Sequence, residues 1–331
     1  MTDNGRPKMS VIILTPDHYE TIRRTMTDLR NQTAYYDLEI LIAAPSVVGL
    51  SDGELELAQF ATVRVVEVGA MQSVAAARAA AVLKATAELV AFAEDHSYPD
   101  ANWAEALIAA HRGPWVAVGP AICNANPRSA LSWANLSLEY GPWLYPVRSG
   151  PVEHLPGHNS SYKRAVLLEY GPQLESMLES ETVLHWDLRA RGHQLYLEAA
   201  ARTSHLNYSL LRAAIPLRFL GGRLFGASRA NRWPAWRRLV YALASPLIPL
   251  VRLRRALRDL GRGHGPHPAM VLPWLIIVLT IDAVGEMFGY LFGSGETMRK
   301  LSDMEFHRHR FISRQDKRAL GLTHNSVPVS E

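Results

Sequence analysis

Glu94-Asp95-His96 is the densest group of potential ligands in the sequence. Two carboxylates and an imidazole, closed off by Pro99, present the hard oxygen donors that divalent cations take and a nitrogen that Mn also accepts. A solvated acidic turn, or a cap for the helix that starts near Asp100, has the same composition. Glu179-Ser180-Glu181 opens a helix. The helix dipole favours a carboxylate there, and such a carboxylate can also serve as general base toward a substrate hydroxyl. Gly157-His158-Asn159 is a small polar loop entering a helix, either a plain turn or a substrate-lining one. His205 and Asn207 end a strand. Arg78 lies in an Ala-rich helix, where it either faces solvent or contacts phosphate or ribose.

The elements that must position these residues alternate. Residues 10–15 (SVIILT), 38–44 (LEILIAA), 62–68 (TVRVVEV), 88–93 (ELVAFA) and 115–119 (WVAVG) are short β-branched or apolar runs, read as buried strands. Helices are expected from Asp17, as cap, to about Asn31, from Gln72 to Ala87, and from Ala101 to His111. Alternation of this kind implies parallel strands with right-handed crossovers, and ligands then sit beyond the carboxyl ends of the strands, where the Glu94 turn lies. Residues 121–155 read as an irregular cover. A helix from Glu179 to Arg191 and strands at 194–198 and 201–206 complete this part.

Charge separates the chain's two halves. The net charge of +4 is mild, but from Arg202 to Arg262 there are about a dozen arginines and one acid, Asp259, so the expected partner is anionic, phosphate or lipid. These arginines interleave with Leu, Ile and Pro rather than with spaced aromatics, which argues against nucleic acid. The uncharged runs 239–251 and 269–281 are too short to span a bilayer and read as interfacial segments. Extending the second run to residues 269–292 would put Asp282 and Glu286 inside a membrane at considerable cost. The chain after Arg314 reads as loosely ordered. A single cysteine, Cys123, excludes an internal disulfide and a thiolate metal cluster. With no apolar signal run at the N-terminus, the expected location is the cytoplasmic face of the cell membrane, peripheral or monotopic.

Taken in order, SVIILTPDHYETIRRTMTDLRNQT, Arg78, FAEDHSYP, GHNSSYKR and SETVLHWDLRARGHQL resemble the motifs of glycosyltransferase family 2, over roughly residues 9–210. The resemblance implies a GT-A fold, an α/β Rossmann-like mixed sheet flanked by helices. It implies a nucleotide-sugar donor contacted by Thr15, Pro16, Arg78, Glu94 and Asp95. A Mn or Mg ion would sit at Asp95, His96 and His205, and Glu181 would be the base of an inverting displacement. Gly157, His158 and Asn159 would line the acceptor side, joined by Arg229, Arg232 and Trp233, which read as an RxxRW motif. The parts so defined are a glycosyltransferase domain (1–210), a basic amphipathic region (211–262) and a mostly helical C-terminal part with an apolar helix and basic tail (263–331). The acceptor expected is a lipid-linked or other membrane-presented glycan, on an anionic membrane surface.

Several positions depart from the family pattern, among them Ser180-Glu181, which stands for Glu-Asp and moves the base's carboxylate outward by one methylene. The second strand ends Ala43-Ala44-Pro45 without the Asp that reads the nucleotide base, so UDP is only the default. His96 replaces a carboxylate in the metal turn, and Ala79 replaces the Asn after Arg78. The altered metal turn and the missing base-reading Asp feed the alternative, a catalytically inactive relative serving as membrane scaffold or nucleotide-sugar sensor. The turn TPDHYE lacks the Gly-rich phosphate loop of a nucleotidyltransferase.

Overall fold

β-Branched residues at the start of the chain form a strand with no exposed side: all six residues of β1 (Met9–Leu14) are buried. Alternation sends Ile12 and Leu14 into one apolar core and Met9, Val11 and Ile13 into another, so both faces of the sheet are covered, as parallel strands require. The Ala-rich helix Val74–Lys84 and Leu184 and Leu188 of the helix Glu181–Ala190 fill the first core. Ile22, Met26 and Leu29 of the helix Tyr19–Arg30, and Trp103 and Leu107 of the helix Trp103–Ala110, fill the second.

The computed structural model describes residues 6–71, 73–262 and 265–322. The remaining strands are β2 (Leu38–Ala44), β3 (Val63–Glu67), β4 (Leu89–Phe92), β5 (Ser97–Pro99), β6 (Ala117–Asn124), β7 (Gly150–Val152), β8 (Ser161–Lys163) and β9 (Leu195–His205). They form one sheet in the order β3-β2-β1-β4-β8-β6-β9-β5, with β7 also paired to β9. β1 runs parallel to β2 and β4, and β2 to β3. From β8 onward the sheet is mixed: β8 is antiparallel to β4 and β6, and β5 and β7 are antiparallel to β9. This is the expected α/β architecture.

Local readings differ at several points. His18, not Asp17, holds the N-cap position of the first helix, and no side chain caps it. The start of the Ala-rich helix, expected at Gln72, falls on a residue outside those described, and Ser73 caps the helix through a 3.0 Å bond from Ala76 N–H. The turn after Glu94 is partly strand, because Ser97–Pro99 pairs with the end of β9. The two strands expected across 194–206 are the single strand β9. Gly157–Asn159 leads into β8 rather than into a helix.

The chain divides into two compact units, one holding residues up to Cys123 with Trp143–His205, the other Asn124–Pro142 and the chain from Leu206 on. In the second unit, the helices Leu211–Arg229 and Pro268–Phe292 meet through glycines. A methyl group at Gly222, Gly226, Gly285 or Gly289 would lie 2.1–2.5 Å from a backbone oxygen of the facing helix. The two GxxxG sequences thus let backbones touch. Pro268–Phe292 is one 25-residue helix, long and apolar enough to cross a membrane by length and composition. Its Asp282 and Glu286 face inward, both paired with Arg252, the latter at 2.5 Å. Residues 130–140, expected to be irregular, form a helix with a polar buried face: Asn135 Nδ2 donates to the Tyr208 carbonyl at 3.0 Å, and Arg218 Nε donates to Asn135 Oδ1 at 2.8 Å. Beyond Arg314 the chain is not loose as far as Leu322: Arg314–Ala319 is helical and its buried Asp316 accepts from Ser313 Oγ at 2.9 Å.

Candidate active site

β4 ends at Phe92, and Glu94 stands just beyond its carboxyl end. Its carboxylate is buried but densely partnered. Oε2 accepts from Ser97 Oγ at 2.8 Å and from Asn159 Nδ2 at 2.9 Å. Oε1 lies 3.4 Å from His158 Nδ1 and 3.6 Å from His96 Nε2. Burial alone would push the Glu94 carboxyl up, but His96, His158, His205 and Arg78 outweigh it and hold the group well below the usual carboxylate range. Asn159 arrives because β8 is antiparallel to β4, so the turn before β8 falls beside the end of β4. His205 arrives because the last residue of β9 pairs with Ser97 of β5.

Glu94, His96 and His205 each bring one donor atom within 4.8 Å of the others, and all three are buried. A carboxylate and two imidazoles fit a divalent transition ion. Asp95, expected among the ligands, lies outside that group. Its Oδ1 sits 2.5 Å from His96 Nδ1. That bond orients the ring, and Nε2 would be the nitrogen turned to an ion if one were held there, the usual work of a carboxylate behind a metal-bound histidine.

Glu181 is the first residue of its helix, where the dipole favours a carboxylate. Its Oε1 lies 2.9 Å from Arg78 Nη1 and 3.3 Å from His158 Nε2. One imidazole, His158, therefore touches both Glu94 and Glu181. Arg78 is buried at 2 % exposure, with its guanidinium 4.9 Å over the Phe92 ring. It is no solvated surface cation, and its Nε makes no hydrogen bond within the described residues. Gly157 is required by contact: a Cβ there would lie 2.3 Å from that of Glu181. Thr15 and Pro16 stand at the end of β1, where the Thr15 hydroxyl donates to the His18 carbonyl at 2.9 Å and braces the turn. Beneath Glu181, His185 Nε2 is 2.9 Å from the Tyr162 hydroxyl. Sequence reading missed Ser97, three residues after Glu94, His185, one helical turn after Glu181, and Tyr162, which strand β8 brings against His185.

A family profile described as "Glycosyl transferase family 2" matches residues 10–171. Residues 10–171 are a family 2 glycosyl transferase domain. The matched span contains Thr15, Arg78, the Glu94 turn and Gly157–Asn159, and the domain's mixed sheet is a GT-A sheet. The matched span is 162 of the chain's 331 residues, just under half of it. Among solved structures, one titled "Crystal structure of GalNAc-T7 with UDP, GalNAc and Mn2+" aligns at 16% identity with a TM-score of 0.48, covering 62% of this chain and 44% of that one. The chain thus spans less than half the length of that protein. No curated protein matches the chain. Glu181 and His205 lie beyond the matched span but in the same compact unit as the glycosyltransferase sheet. Arg229, Arg232 and Trp233 belong to the second unit. There the Arg229 guanidinium lies 4.9 Å from the Tyr241 ring centre, Trp233 stacks with Tyr290, and Arg232 is exposed.

Proposed function

We propose that the protein is an inverting glycosyltransferase that moves a sugar from a nucleoside diphosphate sugar, UDP-linked by default, to a hydroxyl of a lipid-linked or other membrane-presented acceptor at the cytoplasmic face of the membrane. The observation that carries this reading is the single imidazole of His158 reaching both Glu94 and Glu181. A base and a leaving-group site so close can act on the two sides of one anomeric carbon.

In this reading Glu181 accepts the proton of the acceptor hydroxyl, and that oxygen bonds to the anomeric carbon. The bond from that carbon to the diphosphate breaks, and the nucleoside diphosphate leaves with the electron pair. Arg78, on the same carboxylate oxygen, holds Glu181 in place and adds a positive charge near the diphosphate. Gly157 and Asn159 keep the loop beside the base. A cation at Glu94, His96 and His205 would neutralise charge on the departing diphosphate, and two imidazoles in the donor set favour Mn over Mg.

Glu181→Gln tests the base assignment. The account expects kcat to fall by roughly 10²-fold or more while nucleotide binding persists. Turnover at the unaltered rate would remove Glu181 from that role. A wild-type protein that binds nucleotide sugars but transfers none would favour the inactive sensor.

A further inference from the structure

The second unit carries two apolar stripes at helical spacing. On the helices Ala235–Ala244 and Ile248–Leu260 and the turn between them, Trp236, Leu239, Leu243, Leu247 and Leu250 are exposed. On the helix Pro268–Phe292, Ile276, Val284, Phe288 and Leu291 are exposed, while the opposite face is buried. Leu243 at 73% and Leu250 at 67% exposure are far from the burial such side chains seek in a water-soluble fold.

Between the stripes runs a groove of about 420 Å³, within the size range of ligand pockets. Pro249, Leu253, Leu279, Ala283 and Met287 form its floor and walls. Leu250, Ile276, Thr280 and Val284 form its lips and belong to the exposed face as well. The same helices display Arg237, Arg254, Arg255 and Arg258 to solvent. A face so rich in arginine repels a second copy of itself and attracts an anionic surface.

We propose that this face lies on an anionic bilayer and that the groove takes one hydrocarbon chain of a membrane lipid. The inference rests on the membrane attachment proposed above, not on the chemistry at Glu181. The buried pairing of Asp282 and Glu286 with Arg252 fits this placement. The acids turn away from the apolar stripe, which leaves that face free of carboxylates.

The test is sedimentation of the full chain with vesicles of phosphatidylcholine, with and without phosphatidylglycerol. Wild type should bind the anionic vesicles more tightly, with affinity falling as salt rises. Thr280→Trp fills the groove while adding apolar surface, so a merely greasy face would bind as well or better. The chain-binding groove predicts roughly tenfold weaker binding. Leu250→Asp, on the opposite lip at an exposed position, should weaken it at least as much, with both variants melting like wild type. If Thr280→Trp binds as well as wild type, the groove is not a chain site, whatever Leu250→Asp does. If wild type ignores both vesicle types, the membrane attachment itself is wrong, whatever the first unit does with nucleotides.

Discussion

His111 and His185 stay neutral far into the acid range, for reasons set by their surroundings. Burial, aided by the Lys163 charge, pushes His111 down to about 4, and burial pushes His185 down to about 4 against the opposing charge of Glu181. A free imidazole takes its proton near 6.5. Between pH 6.5 and 4 the unfolded chain therefore binds protons that the folded chain refuses. Stability is full above that window and falls as pH drops through it. A displacement of that size corresponds to roughly 3 kcal/mol per histidine. Denaturant melts from pH 7 to pH 4 should show this loss, and His111→Gln, able to keep a polar contact to Ser161, should remove about half of it. Glu94 acts in a different range, since its carboxyl is held well below the usual value and its contribution is lost only at still lower pH. A variant that lost stability as steeply as wild type between pH 6.5 and 4 would take His111 out of the account.

Helix contacts in the second unit make a sharper demand on sequence. Gly221 and Gly222 are neighbours, yet a methyl on Gly221 meets nothing within 4 Å, while one on Gly222 would lie 2.1 Å from the Asp282 carbonyl oxygen. Gly221→Ala should therefore stabilise the protein by up to about 1 kcal/mol through helix propensity. Gly222→Ala should destabilise it by roughly 1–3 kcal/mol, because the helices must part. Paired urea melts check the opposite signs, and equal effects would mean the glycines are not the contact. At this scale legibility was uneven. The front strands were plain because buried parallel strands are continuous apolar runs, as in SVIILT and LEILIAA. The helix Ala130–Tyr140 was not, because Ser132, Asn135 and Ser137 occupy its buried face and erase the apolar period. Ser97–Pro99 was hidden because a three-residue strand containing proline looks like a turn. The glycines of both GxxxG pairs were in plain view, but which helix faced which was not.

At the scale of the whole molecule, the sequence separates alternating buried strands from a later basic and apolar region, and the second compact unit adds residues 124–142 to the chain from Leu206 on. The assembly of the candidate site was only partly legible. Glu94, His96, His158, Glu181 and Arg78 could be proposed from motif order, but their shared contacts depend on β8 and β9 returning antiparallel to the site. Asp95, expected among the ligands, lies outside the group of Glu94, His96 and His205 and sits instead 2.5 Å from His96 Nδ1, a placement that residue type alone does not reveal. The most direct test of the account is a thermal-shift series with UDP, GDP and their sugars, with Mn or with chelator, on wild type and His205→Ala. A nucleotide at 100 times its dissociation constant adds about 2.7 kcal/mol of stability. The account predicts that one nucleotide stabilises wild type only when Mn is present, and that His205→Ala abolishes the Mn dependence. Equal stabilisation in chelator, or an unchanged Mn response in His205→Ala, would contradict it.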